Sequence, residues 1–153
     1  MNALATAPAI APTPAHFLRR IRTVEDYTRT LPQIQAQTSH VLHGGLYART
    51  ITLPPDVVLT GVLVKIATTI IVNGDCAALV GDGQEILLRG YNVLPAAPGR
   101  KQVFRTYTEV NLTMVFPTTA QTVRQAENEF TDETDLLMSR AHDDCDSPAT
   151  TRG

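Results

Sequence analysis

The stretch LYARTITLPPDVVLTGVLVKIATTIIVNGD, residues 46–75, is dense in valine, isoleucine, leucine and threonine. From Tyr47 to Leu53 the sequence alternates loosely with a period of two, which is typical of a half-buried strand. Pro54-Pro55 ends that strand, because neither proline can donate an N–H to a β-ladder. Residues 57–60 and 62–72 are mostly β-branched and predict two further strands. This part of the chain therefore predicts a β-sheet protein.

Turn signals divide the rest of the chain into short strands. Asn73-Gly74 is the strongest hairpin signal, because a type I′ turn needs a positive φ at both central residues. Gly44-Gly45 predicts a bend, Gly81-Asp82-Gly83 a tight turn and residues 95–99 a loop. The other strands are predicted from about His40 to the bend and at residues 76–80, 85–88, 91–94, 102–108 and 111–116. Eight or so short strands with this punctuation predict a sandwich or barrel rather than a parallel α/β sheet.

Two helices are predicted outside the strands. Thr23 can cap a short helix within residues 16–31, which ends before Pro32. A second helix is predicted over residues 119–130, with Thr119 or Thr122 as its cap. Its narrow apolar stripe consists of Val123, Ala126 and Phe130.

The two ends of the chain carry opposite charge, although the whole chain of 153 residues has a formal charge of only −2. Residues 1–30 hold four arginines and two acidic residues, whereas residues 124–153 hold three arginines and eight acidic residues. Electrostatic partners at both ends would explain this asymmetry, and solubility is the alternative. Residues 1–15 are rich in alanine and proline and lack a basic n-region, so we expect a flexible arm rather than a signal peptide. The acidic tail after residue 140 is also expected to be loose.

One cluster near the N-terminus is a candidate for binding a partner. Two apolar side chains lie beside three arginines, a combination that supplies both burial and charge pairing. The candidate partner-binding residues are Phe17, Leu18, Arg19, Arg20 and Arg22. The alternative is that Phe17 and Leu18 fold back onto their own domain.

The sequence offers little for catalysis, metal binding or nucleic-acid binding. Cys76 and Cys145 lack any local activating signature, and His40 and His43 are expected to face opposite sides of a strand. A small basic group at residues 100, 101 and 105 is accompanied by an aromatic content of only 5% and a pI of about 6.0. No run of about 18 apolar residues predicts a membrane span. We therefore expect no enzyme activity, no cofactor, no nucleic acid and no membrane.

The chain resembles the cupin superfamily of double-stranded β-helices, whose enzymes hold a metal inside the barrel. Gly74 matches the glycine that closes the first cupin motif, and residues 97–99 match the Pro-x-Gly turn of the second without its first proline. The ligand positions differ, because residues 62–73 contain no His, Glu, Asp or Cys. In the second motif the histidine position falls on Gln102 and the asparagine position on Thr106. The resemblance thus implies the fold, while imidazole and carboxylate ligands for a metal are missing from these motifs.

A closer resemblance is to small phage-encoded proteins with a cupin-like jelly roll. It lies in residues 45–54, 59–61, 73–75, 90–102 and 126–133 and covers roughly residues 40–140. It implies a structural protein of the virion, of the type that cements or decorates a capsid.

The sequence thus predicts an all-β, cupin-like jelly roll with an extended N-terminal arm and a short C-terminal helix. The expected organisation is an arm with a possible helix at 1–39, a core at 40–117, a helix and acidic segment at 118–140, and a tail at 141–153. The expected function is that of a phage capsid cement or decoration protein, located on the virion surface and made in the host cytoplasm. Its expected partners are the major capsid protein and further copies of itself. A metal-dependent or sugar-binding cupin-type module and a tail or baseplate component are the alternatives.

Overall fold

The structure is a computed structural model that describes residues 9–137. Nine strands form two antiparallel sheets that face each other. The strands are β1 (Gln37–His43), β2 (Leu46–Leu53), β3 (Val58–Thr60), β4 (Thr68–Asn73), β5 (Cys76–Val80), β6 (Gln84–Leu88), β7 (Tyr91–Ala96), β8 (Val103–Thr106) and β9 (Val110–Pro117). One sheet has the order β1-β2-β9-β4-β7, and the other has the order β3-β8-β5-β6. The helices are α1 (Ala15–Thr28), α2 (Val123–Phe130) and a 3-10 turn at Thr134–Leu136.

The strand pairing is that of a jelly roll. β2 pairs with β9, β3 with β8, β4 with β7, and β5 with β6, so the pairs are nested one inside the next along the chain. Successive pairs alternate between the two sheets, which wraps one long antiparallel ribbon around the core. The predicted fold class, an all-β cupin-like double-stranded β-helix with a short C-terminal helix, is confirmed.

The two-residue hairpin turn lies at Gly44-Gly45, where φ is 61° and 76°. This pair joins β1 to β2 in a register that sets His43 opposite Leu46, as a type I′ turn requires. The hairpin predicted at Asn73-Gly74 is wrong, because β4 and β5 lie in different sheets. Gly74 instead turns a corner between the sheets with a φ of 131°, and a Cβ there would collide with the carbonyl oxygen of Glu109.

The strand predicted at residues 62–72 is also shorter than expected. β4 begins only at Thr68, and the preceding segment forms one isolated bridge, between Val64 and Arg100. The predicted second helix is confirmed in a shorter form, since α2 begins at Val123 with Thr122 as its cap. The Thr122 side chain accepts a hydrogen bond from the Gln125 N–H, which satisfies one of the free donors of the first turn.

Two apolar clusters fill the part of the molecule that the structure describes. The larger one lies between the sheets and includes Val72, Val110 and Cys76. The smaller one joins the end of the barrel to α2, where Tyr47, Phe116 and Phe130 pack with ring centroids 5.4–6.4 Å apart. Such aromatic contacts stabilise beyond the area they bury.

The flexible arm predicted for the N-terminus is wrong for residues 9–14. Ile10 is buried, its N–H donates to the Pro95 carbonyl at 2.8 Å, and its carbonyl accepts from the Ala97 N–H at 2.9 Å. These bonds extend the five-stranded sheet beyond β7 and cover an edge that would otherwise be open. α1 then begins directly after Pro14, not at the predicted Thr23 cap, and buries Ile21. Residues 1–8 and the predicted loose tail at 141–153 lie outside the described residues.

Candidate functional site

The basic group at residues 100, 101 and 105 does not form a surface. Arg100 and Lys101 are almost completely buried, and only Arg105 is exposed, with its guanidinium 5.7 Å from the centre of the Tyr107 ring. Val64 pairs with Arg100, and the Lys101 N–H donates to Thr13 Oγ1. Arg100 and Lys101 are therefore enclosed by the segment before β4 and by the N-terminal segment, respectively.

Lys101 joins the two ends of the described chain to the barrel. Its Nζ lies 2.9 Å from Glu25 Oε2 on α1 and 3.3 Å from Glu133 Oε2 beyond α2. Arg22 on α1 also reaches Glu133, with Nη2 2.7 Å from Oε1. Burial alone raises the pKa of the Glu133 carboxyl, but bonds from Arg22 and from the Leu63 N–H, with the charges of Lys101 and Arg22, lower it overall.

A second buried cation, Arg49, is compensated by a carboxylate. Its Nη1 lies 3.1 Å from Glu127 Oε2, both side chains are buried, and the guanidinium lies 5.9 Å from the centre of the Phe130 ring. Burial raises the pKa of the neighbouring Tyr47 hydroxyl, although Arg49 acts in the opposite direction. The contacts of Arg49 with Glu127 and Phe130 hold α2 against β2.

Arg100 differs from these two cations, because it forms no ion pair within residues 9–137. Nη1 donates to the carbonyls of Ile66 and Ala97 at 3.2 and 2.9 Å, and Nη2 donates to Thr68 Oγ1 at 2.5 Å. Its Nε is buried without an acceptor. Burial lowers the pKa of Arg100 to about 10, because a charge in the interior loses its hydration.

Arg100 lines a cavity of about 750 Å³ between the two sheets. Gln102 and Thr60 line the same cavity, and each has a buried side-chain polar atom without a partner, Nε2 and Oγ1 respectively. Exposed apolar side chains surround the mouth of the cavity: Val24, Tyr27, Leu31, Ile34, Val58 and Leu136. The rest of the lining is mainly apolar, and it also includes Glu25 and Asp56.

Among the described residues, His40, His43 and Cys76 do not come together as a catalytic or metal site. His40 Nδ1 lies 2.7 Å from the Tyr47 hydroxyl, so it packs inward, whereas His43 ends its strand at the surface. Burial raises the pKa of the Cys76 thiol, and Cys145 lies outside the described residues. Within residues 9–137 no three His, Cys, Asp or Glu side chains converge as metal ligands. In the same range no helix is long and apolar enough to cross a bilayer.

The predicted partner-binding cluster lies on α1 but does not form one surface. The Phe17 ring packs against Gly83 in the turn between β5 and β6, and Arg22 is engaged by Glu133. Leu18 is half-buried, so Arg19 and Arg20 are the members of the cluster that are exposed.

The outer face of the five-stranded sheet carries no charged side chain among the residues that the strand pairing places there. Along β2 the side chains of Tyr47 and Leu53 point into the core. The side chains of the even-numbered residues, such as Thr50, therefore point outward. The register extends this face across all five strands. We define the outer face as residues 37, 39, 41, 43, 46, 48, 50, 52, 69, 71, 73, 91, 93, 95, 111, 113, 115 and 117.

Comparisons with known proteins found structural likeness at low sequence identity. No protein-family model and no curated protein matches the sequence. A cupin superfamily protein from Desulfitobacterium hafniense matches 76% of this chain over 99% of its own, with 12% identity and a TM-score of 0.46. The Cupin_2 domain of an XRE family transcriptional regulator from Enterobacter cloacae matches 55% over 99%, with 13% identity and a TM-score of 0.46. The Cnp3 cupin domain of Schizosaccharomyces pombe matches 65% over 75%, with 13% identity and a TM-score of 0.46. The fold assignment rests on the nested strand pairing.

Proposed function

We propose that this protein is a structural component of a phage virion, of the capsid cement type, which binds a shell of major capsid subunits and stabilises it. The outer face of the five-stranded sheet is the observation that carries the proposal. The resemblance of residues 40–140 to phage-encoded jelly rolls supplies the class of partner. In this proposal the protein is no enzyme; it is made in the host cytoplasm and ends on the capsid surface.

The outer face has the chemistry of an interface core. Such cores are depleted in charged residues, because a charge that loses its hydration without a partner is expensive. Val41, Tyr91 and Val93 are exposed at the two edges of this face. A sheet is also rigid, so little conformational entropy is lost when it docks.

Polar groups at the centre of the outer face are already paired with one another. Thr50 and Thr113 lie opposite each other with their hydroxyls 2.8 Å apart, and Thr52 donates to Asn111 Oδ1 at 2.7 Å. Burial of this face against a flat partner therefore leaves few unpaired donors. Arg19 and Arg20 lie on α1, which is not part of this sheet, and we assign them at most a rim contact with acidic groups of the shell.

The proposal is tested with tagged protein and shells that lack it. Thr69→Lys and Val93→Lys each place a charge on the outer face at an exposed position, and Leu87→Lys makes the matched change on an exposed residue of the other sheet. Co-sedimentation is expected to weaken about tenfold or more for the outer-face variants and to stay unchanged for Leu87→Lys. Light scattering of the same variants reports any loss of self-association through this face.

Three results would count against the proposal. Equal weakening by all three substitutions would mean that the outer face has no special role. Absence of binding to shells by the unmodified protein would remove the cement function. Binding to isolated tails in place of shells would assign the protein to the tail or baseplate.

A further inference from the structure

We propose that two copies of this chain associate through the exposed side of α1, with the two helices antiparallel and a twofold axis near Val24. This surface is separate from the outer face of the five-stranded sheet, so the inference goes beyond shell binding. It rests on an exposed apolar stripe along α1 and on the opposite charge of the two halves of this helix.

α1 carries apolar side chains on the side that faces solvent as well as on the side that faces the barrel. Ile21 is buried, whereas Val24 and Tyr27 are exposed and three residues apart. Leu31, also exposed, follows four residues after Tyr27 in the turn that continues the helix. Spacings of three and four residues place side chains on one side of a helix, so these three residues form a stripe. Helices pack against each other through stripes of this kind.

The stripe is part of a wider apolar patch. Three further exposed apolar side chains line the same opening as the stripe: Ile34, Val58 and Leu136. Scattered exposed apolar residues are common, but six large ones around one opening form a patch, which marks an interaction surface. A partner that covers this patch has to present apolar side chains of its own.

The charges along α1 point to a second copy of the chain as that partner. Arg19 and Arg20 lie in the N-terminal half of α1 and Asp26 lies in its last turn, which is the reverse of the distribution that the helix dipole favours. Neither arginine forms an ion pair within residues 9–137. The Asp26 carboxylate lies 3.9 Å from Arg29 and is 77% exposed. In an antiparallel pair, the basic half of each helix lies beside the acidic half of the other.

A twofold axis near Val24 satisfies the stripe and the charges together. It packs Val24 of one copy against Val24 of the other, and it sets Arg20 opposite Tyr27, because these two residues are almost equally distant from the axis. The guanidinium can then stack on the tyrosine ring and pair with the neighbouring Asp26. Because the interface is isologous, each of these contacts occurs twice. A contact centred on one helix is smaller than a standard interface, so we expect a weak dimer with a Kd of about 10–100 μM.

Sedimentation equilibrium of the full chain measures this dimer, and a matched pair of tyrosines locates its interface. Tyr27 on α1 is 66% exposed, and Tyr91 on the outer face is 67% exposed. Tyr27→Ser is expected to weaken self-association about tenfold or more, because the lost contact occurs twice, and Tyr91→Ser to leave self-association unchanged. Equal effects of the two substitutions would place the interface elsewhere and overturn the proposal. A monomer at every concentration up to about 0.5 mM would also overturn it.

Reversal of charge tests the antiparallel arrangement. Arg20→Asp brings two acidic side chains together across the axis and Asp26→Arg brings two arginines together, so each alone is expected to weaken self-association about fivefold or more. The double variant exchanges the two charges and is expected to recover most of the lost affinity. Both positions are exposed, and thermal unfolding checks that each variant remains folded. A double variant that associates no better than the single variants would overturn the proposed arrangement.

Discussion

Lys101 and Lys65 are two ion-paired lysines in opposite surroundings. The Lys101 side chain is 0% exposed and contacts two carboxylates from separate parts of the chain. The Lys65 side chain is 42% exposed, and its partner Asp132 is 85% exposed. Because water screens an exposed pair and is absent around a buried one, the two pairs contribute very differently to stability.

Replacement of each lysine by methionine separates these two situations. Lys101→Met removes the buried cation shared by the half-buried Glu25 and Glu133, which keep only the partly exposed Arg29 and Arg22 among the described residues, and we expect the free energy of unfolding to fall by about 3 kcal/mol. Lys65→Met is the matched control, with an expected loss of about 0.5 kcal/mol or less. Urea unfolding at neutral pH measures both. Similar losses for the two variants would mean that burial of Lys101 does not govern its contribution.

The positions of Arg100 and Lys101 could not have been predicted from the sequence. They follow the turn Pro98-Gly99, which is typical of a surface, and the carboxylates that compensate Lys101 lie at residues 25 and 133. No local pattern reports a partner so distant in sequence. By contrast, the inward position of Tyr47 follows from strand alternation and was predictable.

At the scale of elements, the segment before α1 behaves as an additional strand. Ile10 is 1% exposed, and its two backbone bonds attach the chain to β7. Proline and alanine around it suggested an arm, because such residues contribute little burial. Ile10, the open edge of β7 and the hydrogen bonds of Thr13 to Gly99 and Lys101 together hold residues 9–14.

Ile10→Ala tests how much this segment contributes to stability. We expect a loss of about 3 kcal/mol, since truncation of a buried isoleucine removes apolar contacts and leaves a cavity. Ile34→Ala is the control, because Ile34 is 55% exposed, and its expected effect is about 0.5 kcal/mol. Thermal unfolding of the two variants checks this. Equal melting temperatures would show that residues 9–14 dock without stabilising the barrel.

Two turns that contain glycine show where local sequence determines the structure and where the fold overrides it. Gly44-Gly45 forms its hairpin because both neighbouring strands belong to one sheet. Asn73-Gly74 carries the stronger local signal for the same turn, yet β4 pairs with β7 and β9 while β5 pairs with β6 and β8. A jelly roll requires the chain to change sheets at that point, and this requirement overrides the preference of two residues.

For the whole molecule, fold class was more predictable than function. Short strands with regular turn signals predict a sandwich or barrel even when several boundaries are displaced, and the cupin resemblance implied the jelly roll among these folds. The outer face and the cavity become visible only after register places distant residues side by side. The proposed docking face is therefore a property of the assembled sheet.

The assembled molecule also links its two ends through one carboxylate. Glu133, beyond α2, contacts Arg22 on α1 and Lys101 in the barrel. Its pKa lies below the ordinary value in the folded state, so its contribution to stability is present above the unfolded pKa of about 4.3 and is lost as the pH falls through the folded value. At neutral pH the link is fully formed.

Glu133→Gln should therefore loosen α1, although the substituted residue lies at the other end of the described chain. The amide keeps the size of the side chain but cannot neutralise Arg22 or Lys101, so we expect the backbone amides of α1 to exchange with solvent several-fold faster at pH 7. Asp132→Asn makes the same chemical change at the neighbouring residue, whose exposed pair with Lys65 does not involve α1. Hydrogen–deuterium exchange measured by mass spectrometry compares the two variants with the unmodified protein. If α1 exchanges at the same rate in all three, the two ends open independently and the contacts of Glu133 do not couple them.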